Sequence, residues 1–487
     1  MAFTFFNTLG REKQAFNPIS DGKVGFYGCG PTVYNYAHIG NLRAYVHHDI
    51  LIRSLRRSGF NVNHVMNITD VGHLSDDADD GDDKMVKSAE ERGKSVLEIA
   101  DFYTKAFFND TDRMNITRPT TVCKATEHIK EMISLIEQIE KNGFTYSAGG
   151  NLYFDISKFP SYGDLALLKL DDPKIGAQTE FARIEQDENK RNNGDFVLWF
   201  TKSKFENQAL VWDSPWGKGY PGWHIECSAM SMKYLGDQFD IHAGGIDHIP
   251  IHHTNEIAQS EAATGKKPWV KYWLHNEFLV MDKGKMSKSS GGFLTLQSLV
   301  DEGFDPLDYR YFLLGGHYRS QLQFSFESLK GAKNSRKSLI DKVKNLAAKI
   351  AEHETQNSKD SQGLGEESAK YIEGFNKAIE DDLNTPRALA ELWGLLKDAP
   401  SSAQTLLAVY DMDTILGLGL EDAVNNKNNV NDSVDEEFVK EIEELIIKRA
   451  EAKKAKDFSA ADNIRQNLKN RGIILEDSQA GTTWKKG

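Results

Sequence analysis

Three cysteines in 487 residues, Cys29, Cys123 and Cys227, are too few and too odd in number to build a disulfide framework. Their thiols are expected to be reduced. No run of about eighteen apolar residues occurs, so no membrane span is expected. The opening stretch MAFTFFNTLGREKQAF lacks a basic segment followed by an apolar one and a small-residue cleavage site, which makes the cytoplasm the expected location. A basic surplus is missing too. With 59 Lys and Arg against 72 Asp and Glu, the formal charge is −13, which excludes a generic nucleic-acid coat but leaves room for a structured RNA held by local basic clusters.

Familiar ligand motifs also fail on inspection. Gly28 and Gly30 begin a GxGxxG whose third place is Val33, against dinucleotide binding. The segment Gly265-Lys266-Lys267 has Ser260 where a P-loop needs glycine, and no Ser or Thr after Lys266. The acidic run 76–83 places Ala78 and Lys87 where an EF-hand needs ligands, so it reads as a solvated loop. HExxH is absent, and HHTNE lacks the trailing histidine of an inverted zincin.

What is present is an ordinary globular composition, 39% hydrophobic and 27% charged, in a chain long enough for two to four domains. Residues 24–29, 39–57 and 62–68 read as strand, helix and strand, with Gly59 at the helix C′ position. A unit of that length implies a parallel pair and a doubly wound α/β domain. A helical pattern at 126–142 and a short strand at 151–156 fall in a stretch that reads as an insertion splitting this domain. Beyond Tyr318 the pattern is almost wholly helical, with polar linkers at 353–368 and 425–437. The expected fold is thus a doubly wound, Rossmann-like parallel sheet split by an insertion and followed by α-helical domains. The expected boundaries are 1–120 and 206–312 for the two halves, 121–205 for the insertion, then 313–352, 353–424 and 425–487.

Three segments carry chemistry. AHIGN, residues 37–41, lies at a strand-to-helix junction, where backbone N–H groups attract phosphate and His38 can donate to it. KMSKS, residues 285–289, sets Lys285 and Lys288 among glycines and serines, suiting a loop that brings cations to a triphosphate. In IHAGGIDHIPIHHTNE, His252 and Glu256 are four apart and share a helix face. With Cys29 and Cys227 they would make a reasonable zinc set, while His242, His248 and His253 are rival ligands.

HIGN followed much later by KMSKS resembles the two signatures of class I aminoacyl-tRNA synthetases. YGCGPTVYNYAHIGN, NITDVGHL, DFVLWF, PGWHIECSAM, HAGGIDHIPIHHTNE and HYRSQLQFS resemble the cysteinyl-tRNA synthetase family in particular, from about Lys23 through Trp484. The resemblance implies a cysteine–tRNA ligase that uses ATP with Mg²⁺ and one Zn²⁺ per chain, with L-cysteine and tRNA(Cys) as partners, acting as a monomer. By resemblance Cys29, Cys227, His252 and Glu256 hold zinc, and Cys29, Thr69 and Trp223 meet cysteine. His38, Asn41, Lys285 and Lys288 are the implied catalytic residues, and Gly30, Thr32, Gly40, Gly245, Asp247 and Ser287 join them around ATP. Asn41 replaces the final His of the commonest signature, Ser-Gly-Gly follows KMSKS in place of Leu-Gly-Asn, and Thr254 stands where Glu is frequent. Basic residues from Lys448 to Arg471, with Phe458 and Trp484, resemble the family's anticodon-binding end. A related ligase that joins cysteine to an amino sugar, and a non-catalytic RNA-binding regulator, are the rival readings.

Overall fold

The computed structural model describes residues 2–71, 95–168, 187–202, 210–281, 284–285, 293–356, 366–425, 442, 445–450, 452–453, 457–470, 473–478 and 481–486. It divides into two compact units, Met1–Glu421 and Asp422–Gly487.

The larger unit opens with an antiparallel pair, β1 (Thr4–Asn7) and β2 (Glu12–Ala15). Then come β3 (Lys23–Gly28), α1 (Ile39–Arg57), β4 (Asn61–Ile68), α2 (Val96–Arg113), β5 (Thr121–Lys124) and α3 (Ile129–Lys141). An antiparallel sheet follows, built from β6 (Thr145–Ala148), β7 (Asn151–Phe154), β8 (Phe196–Phe200) and β9 (Tyr220–Pro221). The chain returns through α4 (Trp223–Leu235), β10 (Phe239–Gly245), α5 (Thr254–Thr264) and β11 (Val270–Asn276). Short strands β12 (Leu279–Met281) and β13 (Gly284–Lys285) lead to α6 (Leu296–Asp301), α7 (Pro306–Leu314) and β14 (Leu322–Phe324). Four helices complete the unit's described elements up to Leu416: α8 (Phe326–Gln356), α9 (Glu366–Glu380), α10 (Thr385–Asp398) and α11 (Ala403–Leu416).

The central sheet has the order β11-β10-β3-β4-β5, with every pair parallel. Its order reverses between β3 and β10, and a crevice at the carboxyl ends of strands at such a point is where open α/β sheets bind ligands. Successive residues of β3 face opposite ways. Phe26 meets the rings of His48 and His64, whereas Tyr27 meets Phe239 and His242. Tyr27 belongs to the main core, which also takes in Ile136 of α3, Ile225 and Met230 of α4, and Trp269 and Trp273.

β5 was expected to open the insertion. It instead closes the parallel sheet, because Val65–Ile68 pair with Thr121–Lys124. A four-residue strand is too short to reveal its sheet by periodicity. The expected linker at 353–368 is helical at its edges, in α8 to Gln356 and in α9 from Glu366. The acidic run 76–83 and most of the linker 425–437 lie outside the described residues.

α1 is tied down by charge at its middle. Arg310 of α7 and Asp49 of α1 are fully buried and pair at 2.6 Å. The rest of the guanidinium donates to the carbonyls of Leu416, Met114 and Asn115. Asp49 also accepts from Arg53 at 2.8 Å and from the Thr117 N–H at 2.9 Å.

The smaller unit has its own core of Ile442, Leu468 and Leu475, against which Leu445, Ile446 and Ile464 pack. Its described elements include α12 (Phe458–Asn470) and a hairpin of β15 (Ile473–Ser478) with β16 (Gly481–Lys486). Within the basic stretch, Lys448, Lys453 and Arg465 are exposed, while Arg449 is buried and so withdrawn from the surface.

Replacing Arg310 removes one of the two cations on the buried Asp49 carboxylate, leaving Arg53, and frees the carbonyls of Leu416, Met114 and Asn115. Arg310→Met is expected to lower unfolding free energy by about 3–5 kcal/mol, read as a fall in the urea midpoint. An unchanged midpoint would show that the pair is not a structural tie.

Candidate active site and metal centre

His38 is the N-cap of α1, and Asn41 is its N3 residue. The Asn41 N–H donates to His38 Nδ1 at 3.0 Å, and the His38 N–H donates to Asn41 Oδ1 at 3.2 Å. This reciprocal box satisfies two donors that a helix start leaves unpaired. An imidazole that accepts at Nδ1 carries its proton at Nε2. The Asn that departs from the commonest signature therefore closes the cap.

Just after β3, the Gly30 N–H donates to Asn67 Oδ1 at 2.8 Å. A Cβ on Gly30 would stand 1.6 Å from the Asn67 carbonyl oxygen, so only glycine fits this crossing. Thr32 and Thr69 form a parallel bridge that continues the β3–β4 pairing toward the cavity. Thr69 Oγ1 donates to the buried Glu226 at 3.2 Å.

A cavity of about 430 Å³ opens at the carboxyl ends of β3 and β10. Its wall includes the His38–Asn41 turn, Thr69, Trp223, Asp247 and three members of the suspected metal set, Cys29, Cys227 and His252. Those three with Glu256 place one ligand atom each within 4.8 Å of all the others, and all four residues are buried. They come from four places: the residue after β3, α4, a π-helical turn at Ile249–His253, and the first turn of α5. A π-turn is wider than an α-turn and recurs at functional sites.

A second set, Cys29, His242, His253 and Glu256, meets the same distance test. The cavity separates the two, since His242 and His253 do not line it. His242 stacks on Trp273 and donates from Nε2 to Glu256 Oε2 at 3.0 Å, which orients the carboxylate. His253 contacts Cys29 Sγ through Nε2 at 3.3 Å and His275 through Nδ1 at 2.7 Å. His224 Nδ1 meets His252 Nδ1 at 2.9 Å, leaving His252 Nε2 toward Glu256 Oε1 at 3.0 Å. Glu256 Oε1 is nonetheless a buried oxygen with no aligned hydrogen bond.

The electrostatics fit a cation. Burial pushes the Cys29 thiol up. Its contact with Cys29, then burial and Glu256, push Cys227 well above the ordinary thiol range. Burial opposes charge on His252, yet Glu256 and Cys227 outweigh it and raise its pKa well above the usual value. Burial would also raise Glu256, but His242 and His252 hold it down at about 2. The donors therefore combine one ionised carboxylate, with an oxygen that has no aligned hydrogen bond, and two thiols that ionise only beside a positive charge. Sulfur, nitrogen and oxygen donors in this number suit zinc.

Of the residues suggested by sequence, Gly30, Thr32, Gly40 and Gly245 also line this cavity. The backbone of Lys285 lies in β13 opposite Val280 of β12, while Ser287 and Lys288 lie outside the described residues. His224 and the orienting role of His242 were missed. His224 stands beside Trp223 in PGWHIEC, but nothing in its spacing signals a contact with His252.

The family profile described as "tRNA synthetases class I (C) catalytic domain" matches residues 15–334. The chain is 61% identical to a cysteine–tRNA ligase of Treponema denticola, with both chains fully covered. It is 46% identical to one from Treponema pallidum and 43% to one from Borrelia hermsii, again over both full lengths. Among solved structures, a Mycobacterium tuberculosis methionyl-tRNA synthetase in complex with methionyl-adenylate is similar in fold, with a TM-score of 0.57 at 14% identity. That likeness covers 83% of this chain and 92% of the other.

Gly30→Ala is expected to force the β3 and β4 ends apart. It should cost about 3 kcal/mol, at the upper end of overpacking effects, measured as a shifted denaturation midpoint. A variant as stable as the parent would mean that this crossing tolerates a side chain.

Proposed function

This chain belongs to the class I cysteine–tRNA ligase family, and we propose that its cavity activates L-cysteine with ATP and passes it to tRNA(Cys). The observation that carries the reading is that one cavity is lined both by the capped His38–Asn41 turn and by three members, two of them thiols, of a four-member donor cluster.

Cys29, Cys227, His252 and Glu256 would hold zinc, with His224 and His242 fixing the orientation of His252 and Glu256. Bound zinc would supply a soft Lewis acid that keeps the substrate's sulfur as a thiolate, where serine's hydroxyl would stay protonated. Trp223, whose ring lies 4.8 Å from that of His252, and Thr69 wall the amino-acid end. The amino-acid carboxylate is already ionised and needs no general base. One of its oxygens attacks the α-phosphorus, the bond to the bridging β-phosphate oxygen breaks, and diphosphate leaves with that electron pair. His38 donates from Nε2, and the N-terminal end of α1 adds its positive dipole at the phosphates. Asn41 acts by holding His38 in the right tautomer. Lys285 and Lys288 bring positive charge to the departing phosphates of Mg²⁺–ATP, and Asp247, exposed on the turn after β10, reaches the ribose. The terminal ribose 2′-hydroxyl of tRNA then attacks the adenylate's carbonyl carbon, the bond from that carbon to the phosphate oxygen breaks, and AMP leaves with the electron pair while the hydroxyl proton is released.

The unit Asp422–Gly487, with exposed Lys448, Lys453 and Arg465, would bind the anticodon end. That unit favours tRNA over an amino sugar as acceptor. Among the described residues no helix is long and apolar enough to cross a membrane. We place the enzyme in the cytoplasm as a monomer.

Pyrophosphate exchange should proceed with cysteine and run roughly 10⁴-fold less efficiently with serine. Chelation should abolish it and zinc restore it, and cysteine should appear on tRNA and not on a sugar amine. A stripped protein that still prefers cysteine would overturn the selection mechanism.

Metal uptake also has a pH signature. Both thiols are raised above their ordinary values, so without metal they are protonated at neutral pH. His252 is raised as well and adds a third proton, whereas Glu256, held at about 2, adds none. Zinc binding should therefore release at least two protons, and its apparent affinity should climb roughly 100-fold or more per pH unit near neutrality. Indicator-dye titration of stripped protein measures this directly. Release of less than one proton would show that the two thiolates are not both ligands.

A further inference from the structure

Arg43 lies on α1 two residues past Asn41, and it is almost wholly buried. Its guanidinium is aimed at carbonyl oxygens from two separate segments. Nη1 donates to Glu277 at 2.8 Å and to Phe278 at 2.5 Å. Nη2 donates to Ser320 at 2.5 Å and to His317 at 3.2 Å. Burial brings its pKa down to about 10, which leaves it a cation at neutral pH.

The two segments have distinct places in the fold. Glu277 and Phe278 join β11 to β12, and His317–Ser320 join α7 to β14. They also bond each other, through the Glu277 N–H to the Tyr318 carbonyl at 2.8 Å and the Leu322 N–H to the Phe278 carbonyl at 3.2 Å. The first segment is part of the cavity wall: Glu277, Phe278 and Leu279 line it. Leu279 packs directly on the capped turn, since a Cβ on Gly40 would lie 3.8 Å from its Cβ. One planar fork thus spans the gap between the helix that carries His38 and the wall that faces it. Only a guanidinium offers enough donors in fixed directions to hold both segments, and a lysine is a single point of charge.

We propose that Arg43 is a positioning residue for the nucleotide: it fixes the spacing between the His38–Asn41 turn and the 277–279 wall, and so the width of the ATP end of the cavity. This rests on the reading of that end as the ATP site. The bonds of the metal cluster run to His224, His242 and His253, so the cysteine end is expected to be independent of this device.

The test compares Arg43→Lys and Arg43→Gln with the full-length parent and with Arg57→Ala. Arg57 stands at the far end of α1, where it pairs with Asp411 and Asn376. ATP dissociation constants come from calorimetry, zinc content from elemental analysis, stability from urea denaturation, and cysteine KM from pyrophosphate exchange. Both Arg43 variants should bind ATP roughly tenfold or more weakly, as expected when a site is displaced by a fraction of an ångström. Their zinc content should stay at one per chain and their cysteine KM within about twofold, because distant sites act independently. Arg57→Ala should lose stability yet bind ATP like the parent. ATP binding by Arg43→Lys equal to the parent's would overturn the proposal, as would an equal loss in Arg57→Ala or a parent that does not bind ATP. A parent that binds ATP, loses it on Arg43 substitution and yet shows no cysteine-dependent exchange would uphold this inference and refute the assigned reaction.

Discussion

Everything at the site follows from one carboxylate placed where water cannot reach it. Glu256 is fully buried, and a lone ionised carboxylate there would cost several kcal/mol. Two imidazoles, from His242 and His252, make its ionisation possible. They leave one oxygen without an aligned hydrogen bond, and the carboxylate lies within 4.8 Å of two buried thiols. The same carboxylate that the histidines stabilise makes thiolate formation harder, since it raises both Cys29 and Cys227. A divalent cation resolves this conflict, because it is attracted to all three acids at once. The cluster is accordingly a set of groups whose mutual repulsion is useful only around a positive centre.

The fold explains how such a cluster can be assembled from positions 29, 227, 252 and 256. The reversal of strand order between β3 and β10 leaves a crevice that both strands enter from the same end. Cys29 follows β3 directly, the π-turn and α5 follow β10, and α4 precedes it. The capped His38–Asn41 turn begins α1, which also follows β3. A four-residue donor cluster and a helix N-terminus thereby meet at one cavity without sharing residues.

Much of this was legible in the amino-acid sequence, and the reasons are local. α1 runs over Ile39–Arg57 as expected, because its apolar circumference and its stop signal, Gly59 with φ of +90°, are written in one continuous stretch, residues 39–59. The types of metal donor were legible from chemistry. The choice among His242, His248, His252 and His253 was not, since a 3.6-residue period does not describe a π-turn and cavity lining is a property of the fold. Asn41 looked like a weakened signature until its role in the cap emerged from hydrogen bonds. The antiparallel sheet β6–β9 pairs residues as far apart as Leu152 and Trp199, beyond any local pattern. The same holds for Arg43, a cation in an apolar helix whose carbonyl partners lie more than 230 residues away.

The pairing of β3 with β10 joins Phe26 to Ile241, with the antiparallel sheet and four helices, α1 to α4, encoded between them. During synthesis at about 5–20 residues per second, β3 waits on the order of 10–40 s before its neighbour leaves the ribosome. Throughout that interval an apolar strand that will end at the centre of the sheet presents a bare edge, the kind of surface on which chains aggregate. The nascent first half is thus a natural client for chaperones that shield strand edges, and the cluster of Cys29, Cys227, His252 and Glu256 can assemble only after the ribosome has passed Glu256.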